Sequence, residues 1–109
     1  MTIIQEHETI WFPGIYGGRS TEEYTQTAGS IPVEQVVELV QKRAEEDGNW
    51  VIDNGFVGNN EDKMRKMMEW VSREKNIRQC VEANPDETVD WICRDLANAS
   101  KWLHGSSGE

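Results

Sequence analysis

The segment Pro13-Gly14-Ile15-Tyr16-Gly17-Gly18-Arg19-Ser20 has the glycine density of a phosphate-binding loop. Such a loop needs glycine at both ends of a tight cradle, a lysine for the phosphates and a helix whose N-terminus holds the anion. Here Pro13 stands at the first glycine position, Arg19 replaces the lysine, and the following ten residues carry no helical apolar stripe. A plain connecting loop accounts for the segment better. A small enzyme or phosphate-ligand binder built on Gly17-Gly18-Arg19 is kept as an alternative.

Metal and nucleophile chemistry are poorly served. Zinc sites use ligands paired at short spacing, whereas twelve residues separate Cys80 from Cys93, with only His7 and His104 to join them. Asp53–Glu61 has the outline of a calcium loop. Gly55 and Val57, however, occupy positions that need oxygen ligands, and Met64 stands where the bidentate glutamate belongs. Cys93 and His104 are eleven residues apart on one predicted helix, roughly 16 Å at the helical rise and beyond the reach of a thiol–imidazole pair. In an apolar stripe Cys93 behaves as a small hydrophobe, and His104 near a helix C-terminus favours the dipole. The expectation is a non-enzymatic protein without metal or cofactor.

The aromatic residues are less ordinary. Five tryptophans occur in 109 residues. At 100° per residue, Val89, Ile92, Cys93, Leu96 and Leu103 share one face of the last predicted helix. Trp91 and Trp102 fall on the opposite face with Asp95 and Asn98. Trp70 lies off the centre of the methionine stripe on the preceding helix. A helix that is apolar on both sides either runs through the middle of a fold or offers one side to a partner. Tryptophan buries a large area with few rotamers and is enriched at binding hot spots. Trp91, Trp102, Asp95 and Trp70 are therefore candidate partner-binding residues.

Charge supplies the second set. The net charge is −9, and residues 59–76 alone are net +1, so the remainder carries −10. Lys63, Arg65, Lys66, Arg73 and Lys75 on a mixed helix read as a solvated face. The acidic balance disfavours direct contact with nucleic acid or anionic lipid and steers toward basic partners. Glu34, Glu38, Glu87 and Asp90, with Glu45, Glu46, Asp47 and Asp86 nearby, are the candidate acidic contacts. Spaced like phosphates, they would let the chain act as an acidic nucleic-acid mimic, as a phage or mobile-element inhibitor of a host nucleic-acid-binding complex would.

These residues need elements to position them. Residues 2–12 mix β-branched and aromatic residues and read as a strand, ended by Pro13-Gly14. Ser20-Thr21-Glu22-Glu23 has a capping-box spacing compatible with one helical turn. Pro32 opens a helix with the stripe Val33, Val36, Val37, Val40 and Ala44, and Gly48 reads as its stop. Trp50-Val51-Ile52 reads as a short buried strand, with Asn54-Gly55 as a type I′ hairpin turn before Phe56-Val57. A second helix begins near Asn60 with the stripe Met64, Met67, Met68 and Val71, and Asn76 marks a break before a short helix with Ile77, Cys80 and Val81. Asn84-Pro85-Asp86-Glu87 reads as the N-cap of the last helix.

The predicted architecture is α+β, with three or four helices packed on a small sheet formed by the N-terminal arm and a strand near residues 49–57. An all-α bundle with an extended N-terminal arm is the alternative. One domain is expected over 1–104, with 105–109 as a disordered tail. Met1–Glu8 lacks a signal-peptide pattern, no apolar run reaches membrane-spanning length, and the two cysteines form no disulfide framework, so a cytoplasmic protein is expected. The functional expectation is a small acidic module that binds another protein, as inhibitor or adaptor, a partner with a basic nucleic-acid-binding surface included. A homo-oligomeric subunit with Trp91 and Trp102 between copies is a further alternative.

Overall fold

A computed structural model describes residues 21–55, 58 and 60–100. Two 3-10 helical turns, Glu22–Thr25 and Ala28–Ser30, lead into four α-helices. These are α1 (Val33–Asp53), α2 (Glu61–Ser72), α3 (Glu74–Ala83) and α4 (Val89–Ser100). Among the described residues there is no sheet, only an isolated antiparallel bridge between Thr27 and Thr88. The α+β expectation is thus overturned in favour of a helical bundle. The N-terminal arm that was to supply half of the sheet lies outside the described residues.

Of the strand expected near residues 49–57, residues 49–53 are instead the end of α1, and Phe56 and Val57 lie outside the described residues. Gly48 does not stop the helix, because it is buried where α2 crosses. A Cβ at this position would lie 2.4 Å from Met68 Cγ and 2.3 Å from its Sδ. The glycine is thus a close-approach position inside the helix, and packing outweighs its poor helix propensity. Val51 then falls on the buried face and is fully enclosed. Asn54-Gly55 forms no hairpin: it closes the helix. The Asn54 N–H and Nδ2 both donate to Trp50 O, the Gly55 N–H donates to Ile52 O, and Gly55 takes φ +75°. Glycine is favoured there because the left-handed region penalises a Cβ.

The periodic stripes pack as their spacing dictates. Val36, Val37, Val40 and Ala44 from α1 join Val71, Ile77, Val81, Val89, Ile92, Leu96 and Ala97 in one core, with Tyr24 and Ala28 sealing it from the N-terminal side. A smaller cluster of Val51 and Met64, flanked by Ile52 and Met68, lies between α1 and α2. The break expected at Asn76 falls three residues earlier, at Arg73, whose extended backbone separates α2 from α3. Asn76 still fixes this corner, since its Nδ2 donates to Trp70 O at 2.8 Å.

The start of α4 is also displaced. Asn84 ends α3, donating its N–H and its Nδ2 to Cys80 O. Residues 84–87 form a turn closed by the Glu87 N–H on Asn84 O. The helix begins only after Thr88, whose Oγ1 accepts the Trp91 N–H at 3.2 Å. The strap 26–29 takes up what the intervening residues leave open. Ala28 N–H donates to Glu87 O at 2.7 Å, Gly29 N–H to Pro85 O at 2.8 Å, and Val89 N–H to Gln26 O at 2.9 Å. The main-chain groups before α4 are thus paired across the chain rather than by the expected capping box.

Candidate partner-binding surface

The α4 face opposite the core carries Trp91, which the helical period sets opposite the apolar stripe. Its indole is 51% exposed. The Arg94 guanidinium lies over it, 4.8 Å from the ring centroid. Arg94 Nε in turn donates to Asp90 Oδ2 at 3.0 Å. The other oxygen of Asp90 accepts from Arg43 Nη1, and Arg43 Nε donates to Asp47 Oδ2 at 3.4 Å. An exposed aromatic ring is therefore continuous with an ion network that runs inward to α1.

The inner part of that network is well desolvated. Arg43 is 5% exposed and Asp47 8%. Burial opposes the charge on Arg43, but its hydrogen bond to Asp90 and the charges of Asp90 and Asp47 outweigh that penalty and raise its pKa. The guanidinium also lies 5.1 Å from the centroid of the Tyr24 ring, and Tyr24 Oη donates to Leu39 O at 2.9 Å. Burial pushes the Tyr24 phenol up, so it stays protonated. Space around Arg43, Asp47 and Cys93 amounts to about 10 Å³, enough for about one water molecule. Between α1 and α4 the cluster is closely packed, while on its other side Tyr24 and Arg43 line a cavity of about 180 Å³ with Thr21, Glu23, Lys42 and Glu46.

The other predicted site residues distribute unevenly. Asp95 is half-buried on the Trp91 side of α4, and Glu87 lies beside it before the helix starts. Asp90 is drawn into the ion network rather than left for a partner. Trp70 is half-buried and packs against the main core. Glu34 and Glu38 are exposed on α1. Glu34 reaches Arg78 of α3 at 3.7 Å, where Arg78 also pairs with Glu74. Trp102 and the Gly17-Gly18-Arg19 loop lie outside the described residues. The structure therefore gathers Trp91, Asp95, Glu87 and Asp90 at one end of α4 and does not bring Trp70 into that group.

Arg43 and Arg94 escaped the sequence reading, and Asp47 and Trp50 are placed differently from it. Arg43 and Asp47 have the i,i+4 spacing of a solvated surface pair, yet they occupy the buried stripe beside Val40 and Ala44. Arg94 is recognisable only as i+3 from Trp91, a spacing that permits stacking without requiring it. Trp50 was assigned to a buried strand and is instead 50% exposed on α1.

The cysteines are shielded. Burial, with the charge of Asp95 adding to it, pushes the Cys80 thiol up to about 11. Burial pushes Cys93 up to about 12 against the lowering effect of Arg43. Both are protonated at neutral pH, the inert condition for a thiol. Among the described residues, no three of His, Cys, Asp and Glu converge as metal ligands would, and no helix is long and apolar enough to cross a membrane. No family model, curated protein or solved structure matches the chain.

Proposed function

We propose that this protein is a protein-interaction module, acting as an inhibitor or adaptor, whose contact surface centres on Trp91 and Arg94 of α4. The observation that supports this most directly is an indole that is half exposed yet held in place. Exposed tryptophans scattered singly need no explanation, but this one is stacked by an arginine that is itself tied to Asp90. Tryptophan and arginine are the residue types most enriched at hot spots, and a side chain fixed beforehand loses less entropy on binding. Asp95 and Glu87 on the same end of α4 would favour a partner that brings a basic or hydrogen-bond-donating rim to the apolar contact.

The test compares wild type with Trp91→Ala as tagged bait in a nuclease-treated native lysate, with circular dichroism on both. The expected result is a stoichiometric protein partner for wild type and its loss by a folded Trp91→Ala, corresponding to about 2 kcal/mol or more in affinity. A stoichiometric partner held with equal affinity by both proteins overturns the placement on Trp91.

A further inference from the structure

The cavity beside Tyr24 and Arg43 has a buried inner wall and a charged rim. Tyr24 and Arg43 are each 5% exposed, and the guanidinium lies over the phenol ring. On the rim, Glu23 Oε1 accepts from Thr21 Oγ1 at 2.6 Å, and Glu23 Oε2 lies 3.8 Å from Lys42 Nζ. Glu46 is the second rim carboxylate. The side of α1 that lines the cavity continues beyond it. At 3.6 residues per turn Leu39, Arg43, Glu46 and Trp50 fall within about 60° of one another, on a stripe about 16 Å long. Trp50, at the far end of that stripe, is 50% exposed.

The chain leaves the described residues at this same place. Thr21, the first of them, lines the cavity, and Tyr24 holds it near the other end of the stripe by donating its Oη to Leu39 O. Residue 20 is therefore attached at the rim. Among the preceding residues, positions 10–16 hold Ile10, Trp11, Phe12, Ile15 and Tyr16, a run of large apolar side chains that gains from cover. An extended chain advances about 3.3 Å per residue, so Tyr16 reaches about 17 Å from Thr21 and Trp11 about 33 Å. The run can thus lie on Trp50, with Gly17-Gly18 free to bend the chain between them. Charge agrees with this path. Arg19 is the single Lys or Arg of residues 1–20, and it sits two positions from the rim that carries Glu23 and Glu46. A segment tethered so closely is present at an effective concentration of about millimolar, ahead of most free occupants.

We propose that residues 10–19 of this chain dock in cis on the α1 stripe, with Arg19 at the Glu23 and Glu46 rim of the cavity and the apolar run 10–16 over Trp50. The contact does not depend on Trp91 meeting a partner. It covers the indole of α1 and leaves that of α4 as the one open to another protein.

Hydrogen exchange of the amides of residues 10–16 in the full chain, read by mass spectrometry, tests this. Exchange about tenfold or more slower than in an unstructured chain is expected, at a level independent of protein concentration. Trp50→Ala is expected to cut this protection about tenfold while the Val40 and Ile92 amides of the core keep theirs. Exchange of the wild-type segment at the unstructured rate overturns the docking and leaves the face to another protein. Protection that rises with concentration assigns the face to a second copy, and protection untouched by Trp50→Ala places the segment elsewhere; either result also overturns it. Should Trp50→Ala fail to fold, nuclear Overhauser contacts of the wild-type Trp50 indole decide: contacts to side chains of residues 10–16 support the docking, and their absence refutes it.

Discussion

Along its buried face α1 is held in two ways. At Arg43 and Asp47 it meets α4 through charges, with Asp90 shared between Arg43 and Arg94. At Gly48 and Val51 it meets α2 through Met64 and Met68, with no charge involved. The first contact is directional: each oxygen of Asp90 has its own guanidinium, and moving either helix breaks a bond. The second is adaptable, because an unbranched thioether can refill a changed space. Directional contacts fix the relation of α1 to α4 and so the base on which Trp91 stands. The methionine contact only has to exclude water.

Breaking the ionic side should cost most. Asp90→Ala leaves a buried arginine without its principal partner, and a loss of about 3–5 kcal/mol is expected in urea-induced unfolding. A loss below about 1 kcal/mol would show that the network adds nothing to the α1–α4 contact. The glycine crossing should give a smaller effect whose sign depends on its neighbour. Gly48→Ala improves helix propensity by about 1 kcal/mol but overpacks against Met68, at a cost of about 1–3 kcal/mol. Thermal melts should show a net loss in the wild-type background and a gain in Met68→Ala. If Gly48→Ala destabilises both equally, the close approach to Met68 is not what requires glycine. Smallest of all should be Met64→Leu, a swap of similar volume, with less than about 1.5 kcal/mol lost in the same unfolding assay. A loss as large as that of Asp90→Ala would remove the contrast between the two contacts.

The same contrast explains what could be read in advance. Periodicity located Val36, Val37, Val40 and Ala44 in α1 and Met64, Met67 and Val71 in α2, because apolar spacing reports the buried face directly. It failed at residues 48–55. Trp50-Val51-Ile52 is a short apolar run that fits a strand or a buried helical turn equally, and Gly48 was read as a stop because the side chain filling its missing Cβ belongs to another helix. Asn54-Gly55 suits a helix end as well as a hairpin, since both exploit a positive φ. That Trp91 stands opposite the α4 stripe was legible, but whether its indole lies inside or outside, and what supports it, was not. Arg43 and Asp47 look solvated until Asp90 is brought to them across the bundle. Asn84-Pro85-Asp86-Glu87 matches a capping pattern, and only the strap, distant in sequence, pulls these residues into a turn instead.

That strap has a kinetic consequence. Its bridge from Thr27 to Thr88 encloses α1, α2 and α3 within one chain loop, while most helix contacts join elements that are near neighbours in sequence. Closing a long loop is entropically dear until the helices have already drawn its ends together. The strap should fasten last on the way in and release first on the way out, governing how long the assembled bundle persists rather than how quickly it forms.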